Sequence, residues 1–210
     1  MNKDIYDNFI IGDKEPKETL KYHTSSILCS TVLKYGRFVT GSDDNSIIMC
    51  GGETFKPDLI IKEHKKGVAC VIQLNSGELA SCSLDKTIKL YNINKNEYKV
   101  IQTLNEHKDS VNKIIELKNK QLVSCSDDKS IIFYNKDNNE YKKDYSISTN
   151  GSNGPIIQTK DNEICYYEDY NTIYFYDFTK RNNIKKLNNI SVPNSDSLLM
   201  ISKDLLLITG

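Results

Sequence analysis

The stretch SCSLDKTIKLYN, residues 81–92, returns as SCSDDKSIIFYN, residues 124–135. Each copy holds a short run of small residues, a polar turn around an aspartate, and a β-prone run closing on Tyr-Asn. Short apolar runs bounded by turn residues read as strand–turn–strand. Self-similarity at a period of tens of residues is the mark of a repeat architecture, in which one small unit is stacked many times.

Working outward from the phrase, further landmarks keep the same phase. His23, His64 and His107 stand 41 and 43 residues apart. Each is followed 21 positions later by an aspartate: Asp44, Asp85 and Asp128. Four positions before each aspartate stands a hydroxyl residue: Thr40, Ser81 and Ser124. Six positions after each, an apolar stretch ends at Cys50, Tyr91 and Tyr134. Between the landmarks lie strand signals. Val68–Leu74 precedes the turn Asn75-Ser76-Gly77. Glu78–Cys82, Thr87–Tyr91 and Tyr98–Leu104 follow. Four strands in each period, with no helical periodicity, predict an all-β propeller of four-stranded antiparallel sheets.

The sequence here resembles the WD40 repeat family, on His64, Leu79–Asn92 and their equivalents. Glu63-His64 and Glu106-His107 stand where that family has Gly-His. Tyr91-Asn92, Tyr134-Asn135 and Tyr176-Asp177 stand where it has Trp-Asp, and Cys50-Gly51 departs furthest. The resemblance implies a hydrogen-bonded network inside each blade: His64, Ser81, Asp85 and Tyr91 in one, His107, Ser124, Asp128 and Tyr134 in the next. The first blade keeps His23, Thr40 and Asp44 and loses the aromatic at Cys50. A tyrosine hydroxyl lies elsewhere than an indole N–H, so the network is expected to be incomplete or rearranged. A fourth repeat is degenerate, with Tyr166 and Tyr170 at the hydroxyl and aspartate positions. Its run Tyr166–Tyr170 reads either as aromatic packing or as a partner-contacting patch.

The expected organisation is one domain over residues 1–210. Its repeats run near 23–63, 64–106, 107–149 and 150–190, with a composite or partial blade from 1–22 and 191–210. Ile5-Tyr6-Asp7 resembles Leu90-Tyr91-Asn92, Glu18–Tyr22 resembles a fourth strand, and Leu205–Gly210 resembles Arg37–Gly41. That makes about five blades' worth. Two readings stand: a small closed ring, and an incomplete piece of a larger one. The second is favoured because the chain stops at a hairpin turn.

With 28 basic and 28 acidic residues the formal charge is zero. This argues against a phosphate-binding nucleic-acid partner and against a membrane surface. The basic cluster Lys180, Arg181, Lys185 and Lys186 reads as a solvated loop. No apolar run approaches the length of a membrane span. The start MNKDIYDNFI lacks the apolar core of a secretory signal, so the expected compartment is the cytoplasm, with the nucleus as alternative. The six cysteines occupy repeat positions without a CxxC pair, so neither a disulfide framework nor a metal site is expected.

His64, Ser81 and Asp85 are the residue types of a nucleophilic triad. A set that recurs in successive blades is structural, since an enzyme needs one site. No phosphate-binding or nucleophile-elbow motif is present. The expected function is therefore a non-catalytic, protein- or peptide-binding scaffold without cofactor or metal. The alternative is the substrate- or regulator-binding part of a larger enzyme complex, such as a ubiquitin ligase or a kinase-linked propeller. The resemblance places partner contacts just before each network aspartate, at Asp43, Leu84, Asp127 and Asp169. It places others where the chain enters the innermost strand, at Ser26, Leu28, Lys66, Ala69, Ser110 and Asn112. Three acids among the first four favour a basic peptide.

Overall fold

The computed structural model describes residues 21–51, 56–151, 153–168, 172–188, 197–202 and 205–209. Four sheets follow one another along the chain. The first is β1 (Ile27–Val32), β2 (Phe38–Ser42), β3 (Ile47–Cys50) and β4 (Pro57–Ile61). The second is β5 (Val68–Gln73), β6 (Leu79–Ser83), β7 (Ile88–Asn94) and β8 (Glu97–Leu104). The third is β9 (Val111–Glu116), β10 (Leu122–Ser126), β11 (Ser130–Asp137) and β12 (Glu140–Ser148). The fourth is β13 (Asn153–Lys160), β14 (Glu163–Glu168), β15 (Thr172–Asp177) and β16 (Asn182–Leu187). A hairpin, β17 (Ser197–Ser202) and β18 (Leu205–Thr209), comes last. Each four-stranded sheet is an antiparallel meander in chain order.

Register repeats with the sequence. Leu79 faces Tyr91, Leu122 faces Tyr134, Ile164 faces Tyr176, and Phe38 faces Cys50. The residue closing each repeated phrase thus lies opposite the first residue of the second strand, or of β14 one place further in. The second strands β6 and β10 are buried along their whole length. Neighbouring sheets cover both their faces, so they read as unbroken small and apolar runs rather than alternating ones. The outer strand β8 alternates between exposed and half-buried residues until Leu104, where it meets the core.

The core lies between sheets. Val39, Ile47 and Met49 of the first meet Val68, Val71 and Tyr91 of the second. Ala80, Cys82 and Leu90 of the second meet Val111, Ile114 and Tyr134 of the third. Val123, Cys125 and Phe133 of the third meet Ile156, Ile164 and Tyr176 of the fourth. Fully burying one such aliphatic or aromatic side chain contributes about 1.5–3 kcal/mol, so these junctions are the main favourable term. All six cysteines are free thiols, and five are buried as small core residues.

Polar ties repeat at the junctions too. The Lys34 amide donates to Gln73 Oε1 at 2.8 Å, the Asn75 amide to Glu116 Oε2 at 2.6 Å, and the Lys118 amide to Gln158 Oε1 at 2.9 Å. In each, the first-to-second-strand turn of one sheet is latched by a side chain of the next sheet's innermost strand. Gln102 of β8 also exchanges two bonds with the Tyr141 backbone of β12, at 2.6 and 2.8 Å.

The innermost strands pack in the succession β1, β5, β9, β13, β17, and β17 has no comparable packing on β1. The described strands thus form an incomplete ring of propeller blades. Of the expected outer strands of a composite blade, around residues 5–7 and 18–22, residues 1–20 lie outside the described residues, and Lys21 and Tyr22 belong to no strand. The basic cluster is not a free loop. Lys180 and Arg181 sit on the β15–β16 turn, while Lys185 and Lys186 belong to β16. The Lys185 and Lys186 ammonium groups lie 5.3 and 5.2 Å from the ring centroids of Phe175 and Tyr174. Arg181 lies 4.1 Å from that of Tyr145. Aromatic faces attract cations, and that draws these side chains onto the sheet.

Candidate partner-binding face

The turns after β2, β6 and β10 and the loops before β1, β5 and β9 meet at one end of the arc. The Asp43 amide donates to the Ser26 carbonyl at 2.9 Å, Leu84 to Gly67 at 2.9 Å and Asp127 to Ser110 at 3.0 Å. The hydroxyls of Ser42, Ser83 and Ser126 reinforce these bonds, donating to the carbonyls of Ser26, Lys66 and Asp109. Adjacent sheets also approach closely here. A Cβ on Gly67 would stand 2.6 Å from Asp43 Oδ1 and 3.2 Å from the Asp43 Cα, so a side chain at Gly67 would displace the first sheet's turn.

Behind this face lie the three histidine sets. His64 Nδ1 is 2.9 Å from Asp85 Oδ2, and Nε2 is 2.7 Å from Ser81 Oγ. A carboxylate only accepts, so Nδ1–H donates to Asp85 and Nε2 faces the serine hydroxyl. The Tyr91 hydroxyl stands 3.2 Å from Ser81 Oγ and completes the chain. His107 repeats the pattern at 2.8 Å to Asp128 and 2.7 Å to Ser124. Tyr134 also lies beside Ser124, but its buried hydroxyl lacks the well-formed bond of Tyr91. His23 reaches Asp44 at 2.9 Å and Thr40 at 2.8 Å, with no aromatic member.

Each aspartate also fastens its own turn. Asp85 accepts the Lys65 amide on Oδ2 at 2.8 Å, and the Thr87 amide and hydroxyl on Oδ1 at 3.0 and 2.6 Å. Asp44 and Asp128 do the same with Thr24 and Ser46, and with Lys108 and Ser130. Burial opposes ionisation of Asp85, but the bonds from His64, Thr87 and Lys65 hold its carboxyl well below the ordinary range. Asp44 and Asp128 are held low against the same burial, chiefly by Ser46 and the Thr24 amide, and by Ser130 and the Lys108 amide. Burial pushes His107 below its ordinary value, with Asp128 opposing. These groups are saturated with internal bonds, and none is presented as a nucleophile.

The surface candidates divide. Ser26, Leu28, Asp43 and Lys66 are exposed. Ala69, Leu84, Ser110, Asn112 and Asp127 are half-buried, and Asp127 Oδ1 accepts from Asn112 Nδ2 at 2.7 Å. Asp169 and Tyr170 lie outside the described residues. Tyr166, Tyr167 and Glu168 are buried, which favours packing over partner contact for that part of the fourth repeat. Tyr166 stacks on Tyr174 with centroids 5.3 Å apart.

Glu168 has a role that sequence comparison missed. Its Oε1 accepts the amides of Asn150 and Gly151, which lead into β13. The fourth sheet thus gathers its leading loop with a glutamate at the end of β14. No in-phase residue signals this. The junction latches Gln73, Glu116 and Gln158 were also missed, although their spacings of 43 and 42 match the repeat. Among the described residues, no group of histidine, cysteine and acidic side chains could hold a metal ion. No helix there is long and apolar enough to cross a membrane.

No curated protein matches the chain. A family model described as WD domain, G-beta repeat (WD40) matches residues 14–49, 55–92 and 98–135, more than half of the chain. The later two matches end on the asparagines of the two Tyr-Asn pairs, and the first stops just before Cys50, where the aromatic is lost. With the repeated register and the threefold histidine set, this match makes the chain a member of the WD40 repeat family.

Proposed function

We propose that the chain is a non-catalytic scaffold that captures a protein or peptide on the face formed by its leading loops and pre-aspartate turns. WD40 repeats are in general protein-interaction scaffolds. One observation supports the finer reading. The residues the repeats share are tied up internally, whereas Ser26, Asp43 and Lys66 beside them are exposed, and the exposed position of Lys66 holds Ser25 and Asp109 in the neighbouring blades. Hydrogen-bonded carboxylates in three equivalent places fasten turns. Variable exposed side chains between them are free to select a partner. Asp43, Asp127 and Asp169 favour a basic segment.

Charge reversal of Asp43, Asp127 and Asp169 to lysine tests this. The triple variant is expected to fold, with at most a small loss of stability from the Asp127–Asn112 bond, and to lose the proteins that the wild type retains in a pulldown. Recovery of the same set by the variant would assign binding to another surface.

A further inference from the structure

Two thiols stand opposite each other in the second sheet. In the β5–β6 pairing Cys70 is the register partner of Cys82, beside the bulge that follows Val68. Directly opposite residues of an antiparallel pair have Cα atoms about 4.5–5.5 Å apart, within the roughly 4.4–6.8 Å that a disulfide bridges. Both side chains enter the same junction core, with Ala80, Leu90 and Ile114. The Cys82 thiol is hydrogen-bonded to the Cys70 sulfur, and the Cys70 thiol donates to the Ile114 carbonyl at 3.8 Å. The sulfurs are therefore neighbours without any movement of the strands.

The repeat does not dictate this pairing. At the same two places the first sheet sets Cys29 opposite Gly41, and the third sets Lys113 opposite Cys125. Packing at this level is thus met by other residue pairs, and among the described sheets the second alone opposes two thiols. Cys70 and Cys82 are 2% and 0% exposed. Solvent is one side chain away, because Cys29 and Lys113, which hold the Cys70 position in the adjoining sheets, are only half-buried. The bond from Cys82 holds the Cys70 thiol below its ordinary value against burial, and the Lys113 ammonium adds to this. Burial holds the Cys82 thiol above its own. The pair thus has one sulfur disposed to attack and one disposed to wait.

We propose that Cys70 and Cys82 form a reversible dithiol–disulfide site, closed by a small peroxide. The Cys70 sulfur attacks a peroxide oxygen and the O–O bond breaks. Cys70 becomes a sulfenic acid, and the departing oxygen leaves as water with the Cys70 proton. The Cys82 sulfur then attacks the Cys70 sulfur and the S–O bond breaks. A second water leaves with the Cys82 proton. The sulfurs give up two electrons and the peroxide takes them. A thiol reductant reopens the bond by exchange and itself ends as a disulfide. The site makes the fastening of β5 to β6 responsive to oxidants, and it is independent of the partner-binding reading.

Peptide mapping without reduction tests this. The intact chain is treated with hydrogen peroxide, its remaining thiols are alkylated, and it is cut after lysine. Residues 67–86 lie between cleavage points and hold both cysteines. That peptide is expected to be lighter by two hydrogens and free of alkyl groups. It should stay joined when cut again after Glu78, and take up two alkyl groups if dithiothreitol precedes alkylation. This link should dominate in the folded chain and be one among several in urea. Two alkyl groups on the peptide after peroxide overturn the proposal. So does a Cys29–Cys70 or Cys82–Cys125 link in its place, or the same mixture of links in the folded chain and in urea. In Cys82→Ser the sulfenic acid has no resolving thiol, so dimedone should label Cys70 more than in the wild type. Equal labelling in the folded variant also overturns it. Circular dichroism checks the fold, and if the variant does not fold the wild-type map alone decides.

Discussion

Asp85 shows how one side chain joins three parts of a blade: the loop through Lys65, the imidazole of His64, and the turn through Thr87. Removing it leaves donors with no acceptor in a half-buried place. Asp85→Ala is expected to cost about 1–3 kcal/mol, read from the denaturant midpoint. An unchanged midpoint would mean that water replaces the carboxylate. The pH dependence has a defined sign. Asp44, Asp85 and Asp128 are held below their ordinary 3.8, so their contribution is complete above that value and is lost progressively below it, as pH falls to their lowered values in the fold. His107 is held below its ordinary 6.5, so the unfolded chain takes up its proton first as pH falls below that value. Both effects favour the unfolded chain in acid. Urea midpoints measured from about pH 7.5 down to about pH 2.5 should fall, beginning near the histidine range and steepening below the ordinary carboxylate range. A His107→Gln variant should flatten the first part and, because Asp128 loses a donor, reduce the second slightly. The residue types and phase of these sets were legible in the sequence. The orientation of each imidazole was not, because it depends on strands brought together by the turns.

At the scale of the element, the turn between a sheet's first two strands recurs with one change. Gly36 and Gly77 adopt φ +78° and +97°, and their counterpart Lys120 adopts +70°. This left-handed region costs a residue with a Cβ about 1 kcal/mol more than glycine. Lys120→Gly is therefore expected to stabilise by up to about 1 kcal/mol, offset in part by the greater freedom of glycine in the unfolded chain. A rise in melting temperature would show it. A fall would show that the Lys120 side chain contributes more than its backbone costs. Strand identity was readable because burial on both faces forces small and apolar runs such as LASCS. The fourth sheet was harder to read. Glu168 gathers the leading loop from a strand position out of phase with the network aspartates, and its carboxylate reaches amides that are distant in sequence.

At the scale of the molecule, the described residues form a succession of like sheets, each supported mainly by its neighbours. Stability in such an array is a sum of unit and junction contributions, so its ends open first. Native-state amide exchange is expected to be slowest in β6 and β10, which have neighbours on both sides, and faster in β1. Equal protection of β1 and β6 would show that β1 is supported on both sides as well. The sequence by itself determined the class of fold, the period, and the membership of each histidine set. Those follow from local strand and turn chemistry repeated in phase, and a repeat announces itself through self-similarity. Only the tertiary structure decided how the sheets are joined: which residues latch a neighbour's turn, and that Glu168 gathers the loop leading into the fourth sheet. The physical reason is that a junction is made between residues about forty positions apart. No local pattern records whether a given strand face will find a neighbour.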